Sequence, residues 1–246
     1  MVTDFLKALG AVVGVLVAAF AGVWAYATFL LGPAPDAFSL TMVESPETTK
    51  VVIDGFWEVT SGEGGYRAFE VLSGQDNIVV GRTPDIDGDL SVSDGVLTGA
   101  TFEVELVDVA TDSPGRDTFF VGHVDVGQFP TATFVADGGV DISEIAKGPI
   151  SVEVPGILTF HGVEQALVAT VDAQFVGDQV ELVATIDFDF TAHGVEAPNL
   201  VFAVVEPNAV IEVQVMMSLT GEAAPAPSPT ASADPSTSPT PSPSAP

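Results

Sequence analysis

An apolar residue at every second position of residues 180–190, with mostly polar residues between, constrains the fold more than any other feature of the sequence. Every second residue is apolar, in the order Val180, Leu182, Ala184, Ile186, Phe188 and Phe190. Successive side chains of a strand point to opposite faces, so the pattern predicts a β-strand with one apolar face and one solvated face. At about 3.3 Å per residue this strand exceeds about 30 Å, which is longer than the usual five or six residues.

The same two-residue period recurs through most of residues 51–221. It is clearest at residues 102–106, 150–154, 167–175 and 211–219. Turn sequences separate these runs, among them Ser93-Asp94-Gly95, Asp137-Gly138-Gly139 and Gly177-Asp178. Residues 113–121 lack the alternation and predict a short helical or irregular insertion.

Consecutive antiparallel strands with one apolar face must close or stack to remove that face from water. The sequence therefore predicts an all-β domain. An up-and-down barrel is the economical solution for a domain of this size, and a sandwich of two sheets is the alternative. The interior of an eight-stranded barrel has room for a small ligand.

The N-terminal segment is a predicted membrane anchor over residues 1–31. Residues 8–31 contain no charged side chain, and about 20 apolar residues suffice for a helix to cross a bilayer. Lys7 precedes the run and acidic residues follow it, which favours a cytoplasmic N-terminus with the rest of the chain outside. The alternative is a cleaved signal peptide with its cleavage site at Ala25-Tyr26-Ala27. Both interpretations place the remaining chain outside the cytoplasm.

Two further segments flank the predicted barrel domain, which spans residues 51–221. Residues 32–50 contain three prolines and no periodicity, and they predict a linker. Residues 222–246 are almost entirely Ala, Pro, Ser and Thr, a composition that cannot bury a core and predicts a disordered tail. The tail is either glycosylated or an unmodified spacer.

Charge and cysteine content exclude several classes of function. The chain has 34 acidic and 6 basic residues and a formal net charge of −28, so it would repel nucleic-acid phosphates and anionic lipid head groups. It has no cysteine, which excludes disulfides, thiolate metal sites and cysteine nucleophiles. There is no Gly-x-Ser-x-Gly motif and no phosphate-binding glycine loop. We therefore predict neither an enzyme nor a cofactor.

Three other features are candidates for a metal-binding or ligand-binding site. The histidines His123, His161 and His193 lack metal-site spacing and are predicted to be separate polar residues. Residues 85–96 begin like a calcium loop but have Leu90 at the sixth position, so a polar turn is favoured. Arg116-Asp117 stands out because arginine is scarce, and it predicts either a structural ion pair or a ligand contact.

Four motifs in sequence order carry a resemblance to a known family. They are Gly65-Tyr66-Arg67 with Val80-Gly81-Arg82-Thr83, Arg116-Asp117-x-x-Phe120, Phe129-Pro130-Thr131-Ala132-Thr133-Phe134, and Gly156-x-Leu158-Thr159-Phe160-His161-Gly162-Val163. On these motifs, residues 56–221 resemble the YceI-like family of secreted lipid-binding β-barrel proteins, in its membrane-anchored actinobacterial form. The chain departs from the family pattern at Gly115 and around Gly122-His123, which bears on the shape of the mouth.

The resemblance implies an extended, lipocalin-like antiparallel barrel of eight strands with a helix-containing insertion. Its interior would be a hydrophobic tunnel that binds a polyisoprenoid or another long-chain amphiphile without catalysis. The residues predicted to line the tunnel are Phe102, Phe119, Phe120, Phe129, Phe134, Phe160, Ala169, Leu182, Ala184, Ile186 and Phe188. Arg116 and Asp117 are predicted to form a pair at the mouth.

The predicted function is extracytoplasmic binding, storage or transport of a long apolar lipid, tethered to the membrane by the N-terminal helix. Small inner-face residues such as Ala169 and Ala184 would leave room for the lipid. The alternative is a membrane-tethered interaction module with a filled barrel, which would contact partners of the cell envelope. An enzyme acting on a lipid through His161 is disfavoured, because no nucleophile with a base and an orienting group is visible.

Overall fold

The structure is a computed structural model that describes residues 34–41, 51–72, 74–199 and 203–221, with the isolated positions 14, 15, 18, 21 and 22. The predicted tail, residues 222–246, lies outside the described residues, and so does the predicted anchor apart from those five positions. Within the described part of the chain, no helix is long and apolar enough to cross a membrane. The anchor therefore stays a prediction.

Strands account for most of the described chain between residues 51 and 221. They are β1 (Gly55–Leu72), β2 (Gln75–Thr83), β3 (Ile86–Ser93), β4 (Val96–Glu105), β5 (Thr131–Ala136), β6 (Val140–Asp141), β7 (Ile150–Phe160), β8 (Val163–Val176), β9 (Gln179–Asp189) and β10 (Ala203–Gly221). The helix α1 spans Pro114–His123, and two 3-10 turns span Ser143–Ala146 and Thr191–His193. The predicted all-β fold and its short helical insertion are both confirmed.

The strands form one antiparallel sheet that closes on itself. Around the ring the order is β1, β3, β4, β5, β7, β8, β9 and β10, and β10 pairs with β1. β1 pairs with β3 near its start, at Gly55↔Val92, and with β2 further along, at Gly64↔Thr83. β2 and β3 thus share one position in the ring, separated at Pro84, which has no N–H to donate to a ladder. The result is the predicted barrel of eight strand positions, and the sandwich alternative is wrong.

Tight turns join neighbouring strands, at the predicted positions 93–95 and 177–178 and also at residues 161–162, where no turn was predicted. Asp94-Gly95 links β3 to β4, and both residues have positive φ, 54° and 73°. His161-Gly162 links β7 to β8 with φ values of 50° and 71°. Positive φ at both central residues is typical of the type I′ turn, whose twist matches that of the flanking strands. The predicted Gly177-Asp178 turn likewise joins β8 to β9.

Helix α1 covers one end of the barrel, which we call the helix end. Ser113 occupies the N-cap position, and Pro114 follows as the first helical residue, where its missing N–H costs nothing. Phe120 is buried, and its ring stacks on the ring of Tyr66 with 5.1 Å between centroids. At the opposite end, Trp57 packs edge-on against Phe175 at 6.0 Å.

Residues 34–41, which we call the strap, lie in an extended conformation along the outside of the barrel. The strap crosses from β2 to β8, and side chains of Arg82 and Gln174 bond to its backbone at the two ends of this crossing. The sequence predicts these residues to be part of a linker without regular structure. They lack helix and strand, yet they are fixed to the barrel by long-range hydrogen bonds that no local pattern encodes.

Candidate ligand-binding cavity

A cavity of about 120 Å³ occupies the middle of the barrel, and we call it the central cavity. Inward-facing side chains of β4, β5, β7, β8, β9 and β10 form most of its wall. No charged residue belongs to its lining, and Tyr66 is the residue that brings a hydroxyl to its edge. The interior that the alternating pattern made apolar is therefore not completely filled by protein.

Two further cavities adjoin the central one. Toward the opposite end, a cavity of about 60 Å³ shares Leu90, Leu97 and Leu182 with it. At the helix end, a cavity of about 470 Å³ shares Tyr66, Phe120 and Phe190. The three cavities follow one another along the barrel axis.

Strand β9 runs beside all three cavities and gives a measure of their length. Val180 lines the cavity at the opposite end and Phe190 lines the one at the helix end. Ten residues at about 3.3 Å, tilted by roughly 40° as in closed barrels, span about 25 Å along the axis. This space is long, narrow and apolar, which suits a linear apolar molecule.

Small inner-face residues create the free space. Ala184 stands between Leu182 and Ile186 on β9, and Ala169 stands on β8 two residues before Val171, the partner of Ala184. On β4 and β5, Ala100 and Ala136 face each other across the ladder and both line the central cavity. Where a larger residue would fill the barrel, an alanine leaves a gap that cannot collapse, because the backbone ladders hold the wall in place.

The stacked pair of Tyr66 and Phe120 separates the central cavity from the helix-end cavity. Tyr66 can adopt this position because residue 81 is glycine. A Cβ atom at Gly81 would lie 2.6 Å from the Tyr66 ring. Burial raises the pKa of Tyr66 to about 12, although the positive charge of Arg116 opposes the shift. The phenol therefore stays neutral at physiological pH.

The helix-end cavity differs from the central cavity in carrying polar side chains. Glu70, Arg116, His123 and Glu196 belong to its lining. Two residues of this lining, Phe119 and Glu196, are exposed, so this cavity reaches the protein surface. A linear apolar molecule in the central cavity could place a polar end group in the helix-end cavity, so that no polar group enters the apolar interior.

Arg116 is held by two carboxylates at the helix-end cavity. Its Nη2 lies 3.3 Å from Oε1 of Glu70, and its Nη1 donates to Oδ1 of Asp112. The predicted pairing of Arg116 with Asp117 is wrong, because consecutive helical residues point about 100° apart. Asp117 instead accepts hydrogen bonds from the backbone N–H and the hydroxyl of Thr111, at 2.8 and 2.6 Å.

The structure brings most of the predicted tunnel residues together around this space. Those that line one of the three cavities are Phe102, Phe119, Phe120, Phe134, Phe160, Ala169, Leu182, Ala184, Ile186 and Phe188. Phe129 is absent from the three linings, and its ring packs on the ring of His161 with 4.5 Å between centroids. Phe129 instead covers the turn at His161-Gly162. A Cβ atom added at Gly162 would lie 2.7 Å from the Phe129 ring. Contact of the lining residues with a ligand stays a prediction.

Sequence reasoning missed two residues that shape the cavities. Tyr66 lies within a recognised motif, but nothing in that motif indicates that its ring divides two cavities. Phe190, which directly follows β9, belongs to the alternating apolar run of residues 180–190 but was not among the residues predicted to line the tunnel.

His123 lies apart from the other two histidines, whereas His161 and His193 are neighbours. His123 Nε2 is 2.6 Å from the carbonyl oxygen of Glu196, and His161 Nδ1 is 3.2 Å from the carbonyl oxygen of His193. His193 is buried against the ring of Phe188 at 4.9 Å. Among the described residues, no group of three or more His, Cys, Asp and Glu side chains is placed to hold a metal ion.

A closed eight-stranded antiparallel barrel with an apolar interior space and a polar opening at one end defines a barrel of the ligand-enclosing class. The matching family model narrows this class. The YceI-like domain matches residues 57–219, and the chain belongs to the YceI-like family.

Known proteins similar to this chain lie at a considerable distance in sequence. A UPF0312 protein of Pseudomonas fluorescens is 28% identical over 121 residues, which covers 48% of this chain and 60% of that protein. A polyisoprenoid binding domain from Saccharophagus degradans has 13% identity and a TM-score of 0.53, covering 67% of this chain and 98% of that domain. Burkholderia cenocepacia BcnA has 12% identity and a TM-score of 0.48, covering 62% and 95%. The similarity to the Saccharophagus degradans domain supports the fold.

Proposed function

We propose that this protein binds a long linear lipid, a polyisoprenoid or a similar amphiphile, inside the barrel. The observation that carries the proposal is the row of three adjoining apolar cavities along the barrel axis. The polyisoprenoid binding of the Saccharophagus degradans domain, which has the same fold, adds support. The competing idea of a filled barrel that serves only as an interaction module is disfavoured by the same cavities.

The binding energy would come from burial of the chain. Each methylene group that leaves water contributes about 0.8 kcal/mol, so a lipid chain along the cavities gains affinity without polar contacts. The lining of the central cavity contains no charged residue, histidine or serine that could attack the lipid chain. We therefore propose binding, storage or transport of the lipid and no chemical conversion of it.

The charges of the helix-end cavity favour an uncharged polar head group. The carboxylates of Glu70, Asp112, Asp117 and Glu196 lie at or beside this cavity. The guanidinium of Arg116 is already engaged by two of them. A phosphate head would meet net negative charge there, whereas a hydroxyl or a carbonyl head would not.

We further propose that the barrel lies outside the cytoplasm and is tethered to the membrane through residues 8–31. The uncharged length of that run and the position of Lys7 support this location. Cleavage of the segment as a signal peptide would give the same compartment without the tether. The mass of the mature protein distinguishes the two.

The test is lipid binding by the full chain and by two tryptophan variants of β8. The substitution Ala169→Trp would fill the central cavity, whereas Val168→Trp adds the same ring to the neighbouring residue on the exposed outer face. We expect native mass spectrometry to detect bound polyprenol in the wild type and in Val168→Trp, and little in folded Ala169→Trp. Absence of binding in the wild type, or unchanged binding in Ala169→Trp, would contradict the proposal.

A further inference from the structure

The strap is attached to the barrel by charged side chains that it covers. Glu212 of β10 is 1% exposed although it carries a charge. Its carboxylate accepts hydrogen bonds from Arg82, at 2.8 and 3.1 Å, and lies 3.5 Å from Nη2 of Arg67. These two arginines then bond to the strap. Arg67 donates to the carbonyl oxygen of Pro35 at 2.9 Å, and Arg82 donates to that of Asp36 at 2.7 Å.

The middle and the far end of the strap are held equally well. The guanidinium of Arg82 lies 3.8 Å from the ring centroid of Phe38, a cation–π contact. At the far end, Thr41 donates to the two carboxylate oxygens of Glu181 through its N–H at 3.0 Å and its hydroxyl at 2.6 Å. Glu181 is 2% exposed, so its charge would lose these partners if the strap left.

The strap runs from the opposite end of the barrel to the helix end. Thr41 lies over Glu181 and Gln174, close to the β8–β9 turn. Ala34 and Pro35, by contrast, share a surface groove with Asn77 and Asp112. Asn77 donates to Glu70 at 2.7 Å, and Asp112 pairs with Arg116, so this groove borders the helix-end cavity. Residue 34 is therefore held beside the opening.

Only Gly32 and Pro33 separate Ala34 from the uncharged run that ends at Leu31. Three peptide units span at most about 11 Å. Within that run, the described positions 14, 15, 18, 21 and 22 are helical and exposed, with Val15 68% exposed. The predicted linker spans residues 32–50. Because the strap is docked, only Gly32 and Pro33 connect the uncharged run to a residue that is fixed beside the opening.

An exposed apolar patch lies on the outer wall at the same end. It consists of Phe69, Val71, Ile78 and Val204, each 37–43% exposed, and we call it the rim patch. Phe69 is paired with Ile78, and Val71 is paired with Val204, so the four side chains are neighbours across three strands. Ile78 also lines the groove that holds Ala34. Contiguous exposed apolar residues of this kind mark a contact surface.

We propose that the strap holds the barrel with its helix end and rim patch against the surface of a lipid bilayer. This inference rests on the proposed tether and lipid ligand. The net charge of −28 favours a bilayer of zwitterionic or neutral lipids over an anionic one. A lipid could then pass between the membrane and the cavity without crossing water.

The absence of cysteine allows a direct test with single labels on the full chain. Phe119→Cys places a fluorophore at the helix end, and Asp178→Cys places one in the exposed β8–β9 turn at the opposite end. The labelled proteins are reconstituted into phosphatidylcholine vesicles that contain nitroxide-labelled phosphatidylcholine. We expect the label at position 119 to lose most of its fluorescence and the label at position 178 to lose little. Equal quenching, or stronger quenching at position 178, would overturn the inference.

Releasing the strap provides the second arm. The double substitution Phe38→Ala with Thr41→Val removes the ring contact with Arg82 and one bond to Glu181, while the cavity lining stays intact. Ser39→Ala is the matched control, because only the carbonyl oxygen of Ser39 bonds to the barrel. We expect the double variant to lose the difference between the two labels and Ser39→Ala to keep it. Hydrogen exchange of residues 34–41 shows whether the double variant has released the strap, and a difference that survives measured release would contradict the role of the strap.

Failure of this inference can be told from failure of the proposed function. Polyprenol binding by the unlabelled full chain in detergent measures the cavity alone, because Phe119 itself lines the helix-end cavity. Binding in detergent with equal quenching of the two labels overturns the orientation and leaves the function standing. A full chain that binds polyprenol but does not enter vesicles overturns the tether and the orientation together. Absence of binding in detergent overturns the function.

Discussion

The inner and outer faces of β9 show two different uses of burial. On the inner face, Leu182 is 6% exposed and still borders unfilled space in two cavities. On the outer face, its neighbour Glu181 is 2% exposed and has its carboxylate fully engaged by Thr41, Gln174 and Gln214. The alternation correctly predicted the apolar face, but the prediction that Glu181 faces solvent is wrong. A polar residue in an alternating strand can face another segment of the chain instead of water.

The difference has a physical reason. Apolar contacts are non-directional, so an inner face tolerates gaps and a range of occupants. A buried carboxylate must have its hydrogen bonds satisfied, and it therefore accepts only a segment that presents donors at the correct places. We conclude that the inner face is suited to a variable lipid and the outer row to one particular peptide, the strap.

The largest expected effect comes from removing the charge under the strap. The substitution Glu212→Ala would leave Arg67 and Arg82 without their shared carboxylate. Breaking one member of a buried ion pair costs about 3–5 kcal/mol, and the partial exposure of both arginines places the expected loss near the lower value. Urea unfolding monitored by circular dichroism measures it. The exposed Glu153→Gln on β7 should change stability by less than about 0.5 kcal/mol, and polyprenol binding by folded Glu212→Ala should persist.

A smaller effect is expected on the inner face. Leu182→Ala removes a side chain that borders two cavities, and such truncations cost about 2–5 kcal/mol. Because the site already contains free space, the expected loss is about 2 kcal/mol in the empty protein. Bound polyprenol should recover part of this loss, since the lipid chain can occupy the new space. Unfolding midpoints with and without polyprenol test this, and an identical loss in both states would contradict lipid binding at this position.

A third effect concerns the strap alone. Thr41→Val keeps the side-chain volume but removes the hydroxyl bond to Glu181, which should cost about 1 kcal/mol. Hydrogen exchange should become faster in residues 34–41 and stay unchanged in β4 and β5. Unchanged exchange in the strap would show that this bond does not hold it.

Acid should act on the strap in the same direction. Although burial opposes it, the hydrogen bonds from Thr41 and Gln174 keep the pKa of Glu181 below its ordinary value of 4.5. A lowered pKa means that the folded state favours the carboxylate, so this contribution is complete above about pH 4.5 and is lost as the pH falls through the lowered value. The protection factors of the strap amides, which correct for the slower chemical exchange in acid, should therefore fall as the pH falls, and Glu181→Gln should make them less dependent on pH.

The parts that could be predicted from the sequence are those with local or periodic signals. The alternating apolar residues of β8 and β9 predicted the inner wall of the barrel. The Gly177-Asp178 turn predicted how these two strands pair. The strap could not be predicted, because its bonds join residues 32 to 175 positions apart and its own sequence has no period. The same holds for Arg116, whose partner Glu70 lies on another element. Phe129 was predicted to line the tunnel but packs on His161 instead. Its motif indicated that it lies near the barrel wall but did not indicate whether its side chain faces the interior.

The smallest effect, and the finest test of the inner face, is the ionisation of Tyr66. The chain has two tyrosines, Tyr26 and Tyr66, so in the Tyr26→Phe variant the absorbance of tyrosinate reports Tyr66 alone. Burial raises the pKa of Tyr66 to about 12. Since the folded state holds this proton more tightly than the unfolded state, stability should decline above about pH 10, and Tyr66→Phe should remove that decline. A single step near pH 10 in the folded protein would mean that water enters the barrel at the Tyr66–Phe120 pair, and that the boundary between the two cavities is open.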